Sequence, residues 1–226
     1  MNQAIEYTQH EPSQLFVGAR KKNVTAYLIA IQHGVALLRL GKHEFALTQG
    51  TGFWLPFDCL HALTVLPGCR YHRIDFSARL TLPYPEQAGF ITVSPLLQAL
   101  LDELNRLSRL PVQSKHSSES RVLAVVADQL TVFKPSTQQI CPALTRQQQS
   151  SLAALLESTQ PPSKDSLSAI ESVLGISANE LEACLLVREA LKLSRSGRKA
   201  EQIAKTLHCQ LDHLQALGQT LTGKQF

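Results

Sequence analysis

The sequence lacks the features that mark secreted, membrane-spanning or disulfide-rich proteins. No run of 18 apolar residues occurs, so no segment is predicted to span a membrane. The opening residues, MNQAIEYTQHEP, contain no apolar core of a signal peptide. The five cysteines are scattered without a C-x-x-C pair, which favours reduced thiols over a disulfide framework or a zinc knuckle. We therefore expect a cytoplasmic protein.

Charge of either sign is also scarce. Charged residues make up 18% of the 226 residues, and the net charge is +4. Residues 164–226 hold eight Lys or Arg against seven Asp or Glu, a net of +1. This balance permits contact with nucleic acid without demanding it. The hydrophobic fraction of 44% is sufficient for an ordinary core.

The first part of the chain has the pattern of a β protein. Short apolar segments, among them TAYLIAI, GVALLRL, HEFAL and CRYHRIDF, are separated by turn residues between Val24 and Phe76. Gly41-Lys42 is typical of a hairpin turn. The spacing predicts an antiparallel barrel or sandwich over about residues 15–85.

After Pro83 the pattern becomes helical. Ser94 and Pro95 are typical of the start of a helix, and leucines then recur on one face as far as Leu107. RVLAVVADQLTVF predicts a second helix, and PVQSKHSSES, KPSTQQICP and STQPPSKDS predict loops, the last being the best linker.

Beyond Asp165 the sequence predicts about five short helices. Gly175, Gly197 and Gly223 stand where helices end, and Ser177 where one begins. We expect one apolar core here, formed by Leu167, Ile170, Leu174, Leu181, Ile203, Leu207 and Leu214. The predicted class is thus α+β, with a barrel in residues 1–85, helical connectors in 86–160 and a helical domain in 161–226.

The stretch GTGFWLPFDCLHAL resembles the second sequence motif of cupin barrels, G-x5-P-x-G-x2-H-x3-N. Gly50, Pro56 and His61 match it, whereas Asp58 replaces the second glycine and Val65 the asparagine. Metal-dependent cupins supply further ligands from an H-x-H…E motif, but ARKKNVTAYLIAI holds no histidine and a cationic run instead. A divalent metal needs at least three converging ligands. We therefore expect a metal-free barrel without a cofactor, with Trp54 and His61 on the strands around the motif.

A metal-free cupin followed by helices resembles the AraC-type transcription regulators, in which a sensor barrel precedes two helix-turn-helix units. SLSAIESVLGISANEL is similar to the first unit and EALKLSRSGRKAEQIAKTL to the second. Glu171 departs from the family at a packed alanine, and His208-Cys209 at a Gly-Phe pair. About fifteen residues between the units are missing, so we expect residues 178–194 to form one long helix.

This resemblance implies a DNA-binding regulator that dimerises through the barrel and the helix of residues 94–110 and that binds a small-molecule effector. The candidate effector-binding residues are Tyr27, Arg39, Trp54, His61 and His72. The candidate DNA-binding residues are Ser177, Asn179, Arg188, Lys192, Arg195, Arg198, Lys199, Lys205, Gln210, His213 and Gln215.

Two alternatives stay open. Glu180 and Glu182 in the first recognition helix would repel phosphates, so the chain is alternatively a relative with an eroded DNA domain that acts through protein contacts. A metal-dependent cupin enzyme is the less favoured alternative, since the sequence shows no catalytic triad, P-loop or dinucleotide motif.

Overall fold

The computed structural model describes residues 4–110, 112–157 and 164–226, and side chains in the helix that follows residue 111 from residue 118 onward. The strands are β1 (Ile5–His10), β2 (Phe16–Val17), β3 (Lys21–Lys22), β4 (Ala26–His33), β5 (Ala36–Leu40), β6 (His43–Leu47), β7 (Gly52–Leu55), β8 (Leu60–Val65), β9 (Arg70–Phe76) and β10 (Gly89–Ile91). The helices are α1 (Pro95–Ser108), α2 (Val112–Leu130), α3 (Arg146–Leu156), α4 (Lys164–Leu174), α5 (Ala178–Arg195), α6 (Ala200–Thr206) and α7 (Leu211–Thr222).

The strands form two facing antiparallel sheets. The first has the order β1-β9-β4-β7-β10, and the second has the order β2-β8-β5-β6 with β3 also pairing with β8. Side chains alternate along each strand, so one set fills the space between the sheets. That interior is apolar and aromatic, with Phe45, Phe53 and Phe90 in edge contact. The α+β class and the antiparallel sheets confirm the prediction.

The outer faces of both sheets are covered by helices. The outer face of the first sheet contributes Leu28, Trp54 and Ile74 to a core with α1 and α2. The outer face of the second sheet contributes Leu37 and Ala46 to a core with α3, α4 and α5. The C-terminal helices therefore share a core with the barrel.

Local signals located many boundaries correctly. Ser94 accepts a hydrogen bond from the Leu97 amide at the start of α1, and Ser177 forms a capping box with Glu180 at the start of α5. Gly41 turns the β5–β6 hairpin with a φ of 62°. Trp54 and His61 lie on β7 and β8, as expected. The long helix expected over residues 178–194 is confirmed as α5.

Other predictions need correction. Strands begin at Ile5 rather than near residue 15, and β10 lies in a segment predicted to be helical because it pairs with β7. The segment PVQSKHSSES was predicted as a loop, but α2 begins at Val112. The linker STQPPSKDS lies largely outside the described residues, whose third range starts at 164.

The single C-terminal core is also wrong. Ile170, Leu174 and Leu181 join the barrel-facing cluster, whereas Ile203 and Leu214 form a separate cluster with Ala190 and Ala204. Because α5 is one long helix, its first half packs on the barrel and its second half on α6 and α7. Across the described ranges, no helix is long and apolar enough to cross a membrane.

Candidate functional site

A cavity of about 770 Å³ opens at the end of the barrel where β3 and β8 meet. Its inner walls are side chains of β4, β8 and β9, and its outer wall is residues 11–25, which we call the N-terminal strap. The volume lies within the range of ordinary small-molecule sites. The strap continues directly from β1 and covers one side of the cavity.

His61 and Tyr27 meet in the wall of this cavity. The Tyr27 hydroxyl is hydrogen-bonded to His61 Nε2, and His61 Nδ1 lies 2.9 Å from the Cys59 carbonyl oxygen. Since a carbonyl only accepts, Nδ1 carries the proton and Nε2 accepts from the tyrosine. Burial lowers the pKa of His61, the Cys59 hydrogen bond opposes this, and Arg73 and Lys21 lower it further. The imidazole is therefore neutral, with both nitrogens engaged.

This geometry leaves His61 without a lone pair for a metal ion. In the part of the chain that the structure describes, no group of three His, Cys, Asp or Glu side chains is arranged to hold a metal. Two other histidines of the sheets, His33 and His43, lie exposed at strand ends. A metal-free barrel stays a prediction that elemental analysis can test.

Arg73 fixes the opposite wall. Its guanidinium donates two hydrogen bonds of 2.7 Å to Asp75 and lies 3.9 Å from the centre of the Tyr27 ring. Thr25 of the strap donates to the same carboxylate at 2.7 Å. Although burial lowers the pKa of Arg73, the Asp75 hydrogen bond and charge raise it overall. Bidentate pairing makes this wall rigid and leaves it without net charge.

Several cavity-lining groups remain available to a ligand. Lys21 is exposed and, among the described residues, has no ion-pair partner, and the Tyr71 hydroxyl likewise has no hydrogen-bond partner. Phe16 is 50% exposed at the rim, and Val24 is 88% exposed. The cavity thus combines an apolar, aromatic body with cationic and hydroxyl groups.

The structure brings two of the five predicted effector-binding residues, Tyr27 and His61, into this cavity. Trp54 and His72 lie on the outer face of the first sheet, where Trp54 donates to the Pro85 carbonyl and His72 bonds the Tyr7 hydroxyl. Arg39 points away from the barrel interior toward α5. The sequence analysis missed Tyr71 and Arg73. The alternation in CRYHRIDF, which sets Tyr71, Arg73 and Asp75 on one face, was the signal that identifies them.

The outer side of the strap is attached to the C-terminal helices. The Leu15 amide donates to the Leu221 carbonyl at 2.7 Å, and Arg195 donates to the Val17 carbonyl at 2.7 Å. Leu15 and Val17 are buried in the core shared with α5 and α7, while Phe16 faces the cavity. One short strand thus contacts the ligand cavity on one face and the helices on the other.

Arg188 has a role that the sequence did not predict. It was expected to hold a phosphate, but its side chain is 4% exposed and pairs with Glu44 of β6, itself 8% exposed. The second hydrogen bond of this fork, from Nη2 to Oε2, measures 3.2 Å. A buried, paired guanidinium cannot reach DNA, so Arg188 instead holds α5 on the barrel.

The other predicted DNA-binding residues are distributed over three places. Asn179 and His213 line an open groove of about 1,130 Å³ with α3 and Arg39. Lys192 pairs with Glu189 at 2.7 Å, and Ser177 is used as a helix cap. The remaining exposed residues lie at the end of α5 and around α6 and α7, and they are Arg195, Arg198, Lys199, Lys205 and Gln210. Gln215 of α7 is half-buried.

Two departures from the family motifs have a conformational explanation. Asp58 and His208, which replace motif glycines, have φ values of 55° and 54°. Both positions keep the left-handed conformation that favours glycine. Glu171, at the packed-alanine position, accepts a 2.8 Å hydrogen bond from the Ala178 amide and so caps α5.

Solved structures resemble the chain weakly. ToxT from Vibrio cholerae bound to (E)-4-(8-methylnaphthalen-1-yl)but-3-enoic acid is 13% identical, covers 99% of this chain and 97% of its own, and has a TM-score of 0.38. Another ToxT structure from the same organism is 11% identical, with 98% and 95% covered and a TM-score of 0.39. A cupin superfamily protein from Desulfitobacterium hafniense is 12% identical over 34% of this chain and 71% of its own, with a TM-score of 0.32. A search of curated proteins finds no match.

The family assignment rests on a family model instead. The model of the AraC-like ligand binding domain matches residues 6–127, more than half of the chain. The matched range includes the strap, both sheets and α1, and therefore the whole cavity around His61. The chain belongs to the family of the AraC-like ligand binding domain.

Proposed function

We propose that this protein is an AraC-type transcription regulator that binds a small organic anion in the barrel cavity and binds promoter DNA through its C-terminal half as a homodimer. The main observation in support is that the strap contacts both the cavity and the C-terminal helices. It forms one wall of the cavity, and through Leu15 and Val17 it is bonded to α7 and α5. A ligand that moves Phe16 must also change the contacts of its two neighbours, because successive residues of a strand face opposite ways.

The charge of the cavity supports an anionic ligand. Lys21, Lys22 and Arg73 line it, and Glu11 is its one carboxylate among the described lining residues. Arg73 is neutralised by Asp75 and Lys22 by Asp58, at 2.7 Å each, which leaves Lys21 as the available cation. The aromatic walls formed by Phe16, Tyr27 and Tyr71 fit a planar or apolar body.

A pair of probes of the same shape but different charge tests ligand binding. We expect 1-naphthylacetate to raise the Tm, and 2-(1-naphthyl)ethanol to leave it unchanged, because a ligand stabilises the state that it binds. Lys21→Gln should remove the effect of the anion, and Lys134→Gln, far from the cavity, should not. Equal shifts with both probes would contradict the anionic preference.

Fluorescence anisotropy with a labelled duplex from the region upstream of the gene tests DNA binding. We expect binding that weakens steeply as salt rises, because phosphate contacts release counterions. Replacing Arg198 and Lys199 together with Glu should abolish it, and Arg195 is left unchanged because it holds the strap at Val17.

The protein-contact alternative retains one specific observation. The groove that holds Asn179 and His213 also presents Glu157, Glu182 and Glu189, which do not favour phosphate. If the wild-type protein binds no duplex at 50 mM salt, this groove becomes the candidate site for a protein partner.

A further inference from the structure

The helices that the helix-turn-helix pattern assigns to base reading carry acidic side chains where they begin. The first half of α5 carries Glu180 and Glu182, and its Arg188 is buried against Glu44. The first turn of α7 carries Asp212. DNA affinity comes mainly from phosphate contacts, so cations elsewhere must supply it.

Two exposed basic segments lie elsewhere, one in the strap and one in the turn from α5 into α6. The strap carries Arg20, Lys21 and Lys22 in succession, all exposed. The turn from α5 into α6 carries Arg198 and Lys199, also exposed. Lys22 pairs with Asp58 and Arg198 donates to the Thr206 hydroxyl, whereas Arg20, Lys21 and Lys199 form no ion pair with a described residue.

The tertiary structure brings the two segments together. Arg195 bonds the Val17 carbonyl at 2.7 Å, and Arg20 follows Val17 by three residues, a reach of about 10 Å. The chain turns back after α5, since the Arg198 amide donates to the Leu193 carbonyl at 3.3 Å. The two segments therefore lie within the ~34 Å of one turn of duplex DNA.

We infer that the strap and the α5–α6 turn form one composite surface for the phosphates of double-stranded DNA. We call it the basic face, made of Arg20, Arg198 and Lys199; Lys21 and Lys22, next to Arg20 in the sequence, line the ligand cavity. This inference rests on the proposed DNA binding and adds that the ligand-binding barrel itself touches the DNA backbone. Arg20 does not line the cavity, so a substitution there tests DNA contact without altering the ligand site.

Arg20 provides the sharpest test, because it is exposed and outside both the ligand cavity and the helical half. In the anisotropy assay we expect Arg20→Glu to weaken binding by roughly 5-fold or more at 50 mM salt and to reduce the slope of log K against log salt by about 0.9, the value of one phosphate contact. Arg20→Lys should bind as the wild type does. Lys134→Glu, on the far side of the first sheet, is the matched control for net charge, and unchanged Tm values show that the variants fold.

The outcomes separate this inference from the proposed function. If wild type binds and Lys199→Glu weakens binding, while Arg20→Glu binds within 2-fold of wild type, the barrel does not contact DNA and the inference is overturned. If Arg20→Glu and Lys134→Glu weaken binding equally, the effect is one of overall charge, and the inference is again overturned. Absence of any binding by the wild type contradicts the proposed DNA function itself.

Discussion

Asp58 and His208 are non-glycine residues in a conformation that costs most side chains energy. For L-residues the left-handed region is unfavourable by about 1–2 kcal/mol, less for Asp. His208 follows the end of α6 with its side chain exposed, and its ring makes no hydrogen bond to a described residue. No hydrogen bond of its side chain therefore offsets the free-energy cost of the left-handed backbone.

We predict that His208→Gly is more stable than His208→Ala by about 1 kcal/mol, because only glycine relieves the strained φ. Chemical denaturation of the two variants measures this difference. Equal stability, or a more stable alanine variant, would show that residue 208 does not hold a left-handed conformation.

His61 gives the stability of the protein a pH dependence. Burial lowers the pKa of His61 below its ordinary value of 6.5, so the folded state binds the proton less readily than the unfolded chain. The contribution of His61 to stability is therefore fully present above pH 6.5 and is lost as the pH falls toward the folded pKa. His10 and His72 act in the same direction, chiefly through burial.

We accordingly predict that the Tm falls between pH 7.5 and 5.5, and that His61→Gln makes the fall shallower. His33→Gln, at an exposed strand end, is the matched control and should follow the wild-type curve. A steeper fall for His61→Gln would mean that the imidazole is charged in the folded protein.

At the scale of elements, α5 is held on the barrel by one buried ion pair. Glu44 of β6 also lies 4.0 Å from Arg39, but that arginine is 43% exposed, whereas Arg188 is 4% exposed. Removing one partner of a buried ion pair leaves the other charge buried without a counter-charge and without water. The two arginines thus offer an internal comparison against the same carboxylate.

We predict that Arg188→Met costs about 3–5 kcal/mol and that Arg39→Met costs about 1 kcal/mol or less. Adding Glu44→Gln to Arg188→Met should recover part of the loss, because the stranded carboxylate is removed. A double-mutant cycle by denaturation measures the coupling, and a coupling near zero would refute the pair.

Glu171 caps the start of α5, although the family pattern has another residue at this position. Alanine is the family residue there, yet Glu171→Ala should cost about 1 kcal/mol, because the Ala178 amide loses its acceptor. Glu182→Ala, on the exposed side of α5, is the control. A stabilised Glu171→Ala protein would mean that helix packing, rather than capping, governs this position.

Some elements of the fold could be predicted from the sequence and others could not. Ser94, Ser177 and Gly41 act within four residues of themselves, so their caps and turn were predictable. The α3 capping box between Thr145 and Gln148 was equally local and was missed. Arg188 and Glu44 are 144 residues apart in the sequence, and no local sequence pattern predicts an ion pair between them. The three residues of β10 are a strand only because β7 lies beside them.

At the scale of the whole molecule, an apolar surface remains on the helices that cover the first sheet. Leu96 of α1 is 49% exposed and Val125 of α2 is 40% exposed, and Val132 beyond α2 is 70% exposed. Exposed apolar side chains on two helices that pack together favour an interface between subunits. The homodimer stays a prediction, and this surface is where we expect its contact.

We predict that the wild type sediments as a dimer at micromolar concentration and that Leu96→Glu with Val125→Glu sediments as a monomer with an unchanged circular dichroism spectrum. Val24→Glu, at the exposed cavity rim, is the control and should remain dimeric. A wild-type monomer, or a double variant that stays dimeric, would exclude this interface.

The hydrogen bond between Leu15 and Leu221 also determines how the protein can fold. It joins positions roughly 200 residues apart, and closing so long a loop is entropically unfavourable until other contacts have formed. Leu15 and Val17 lose their apolar surroundings if α5 and α7 are absent, and the helices lose the outer face of the second sheet if the barrel is absent. Neither half is therefore expected to fold when it is cut from the other, and the full chain should unfold in one cooperative transition.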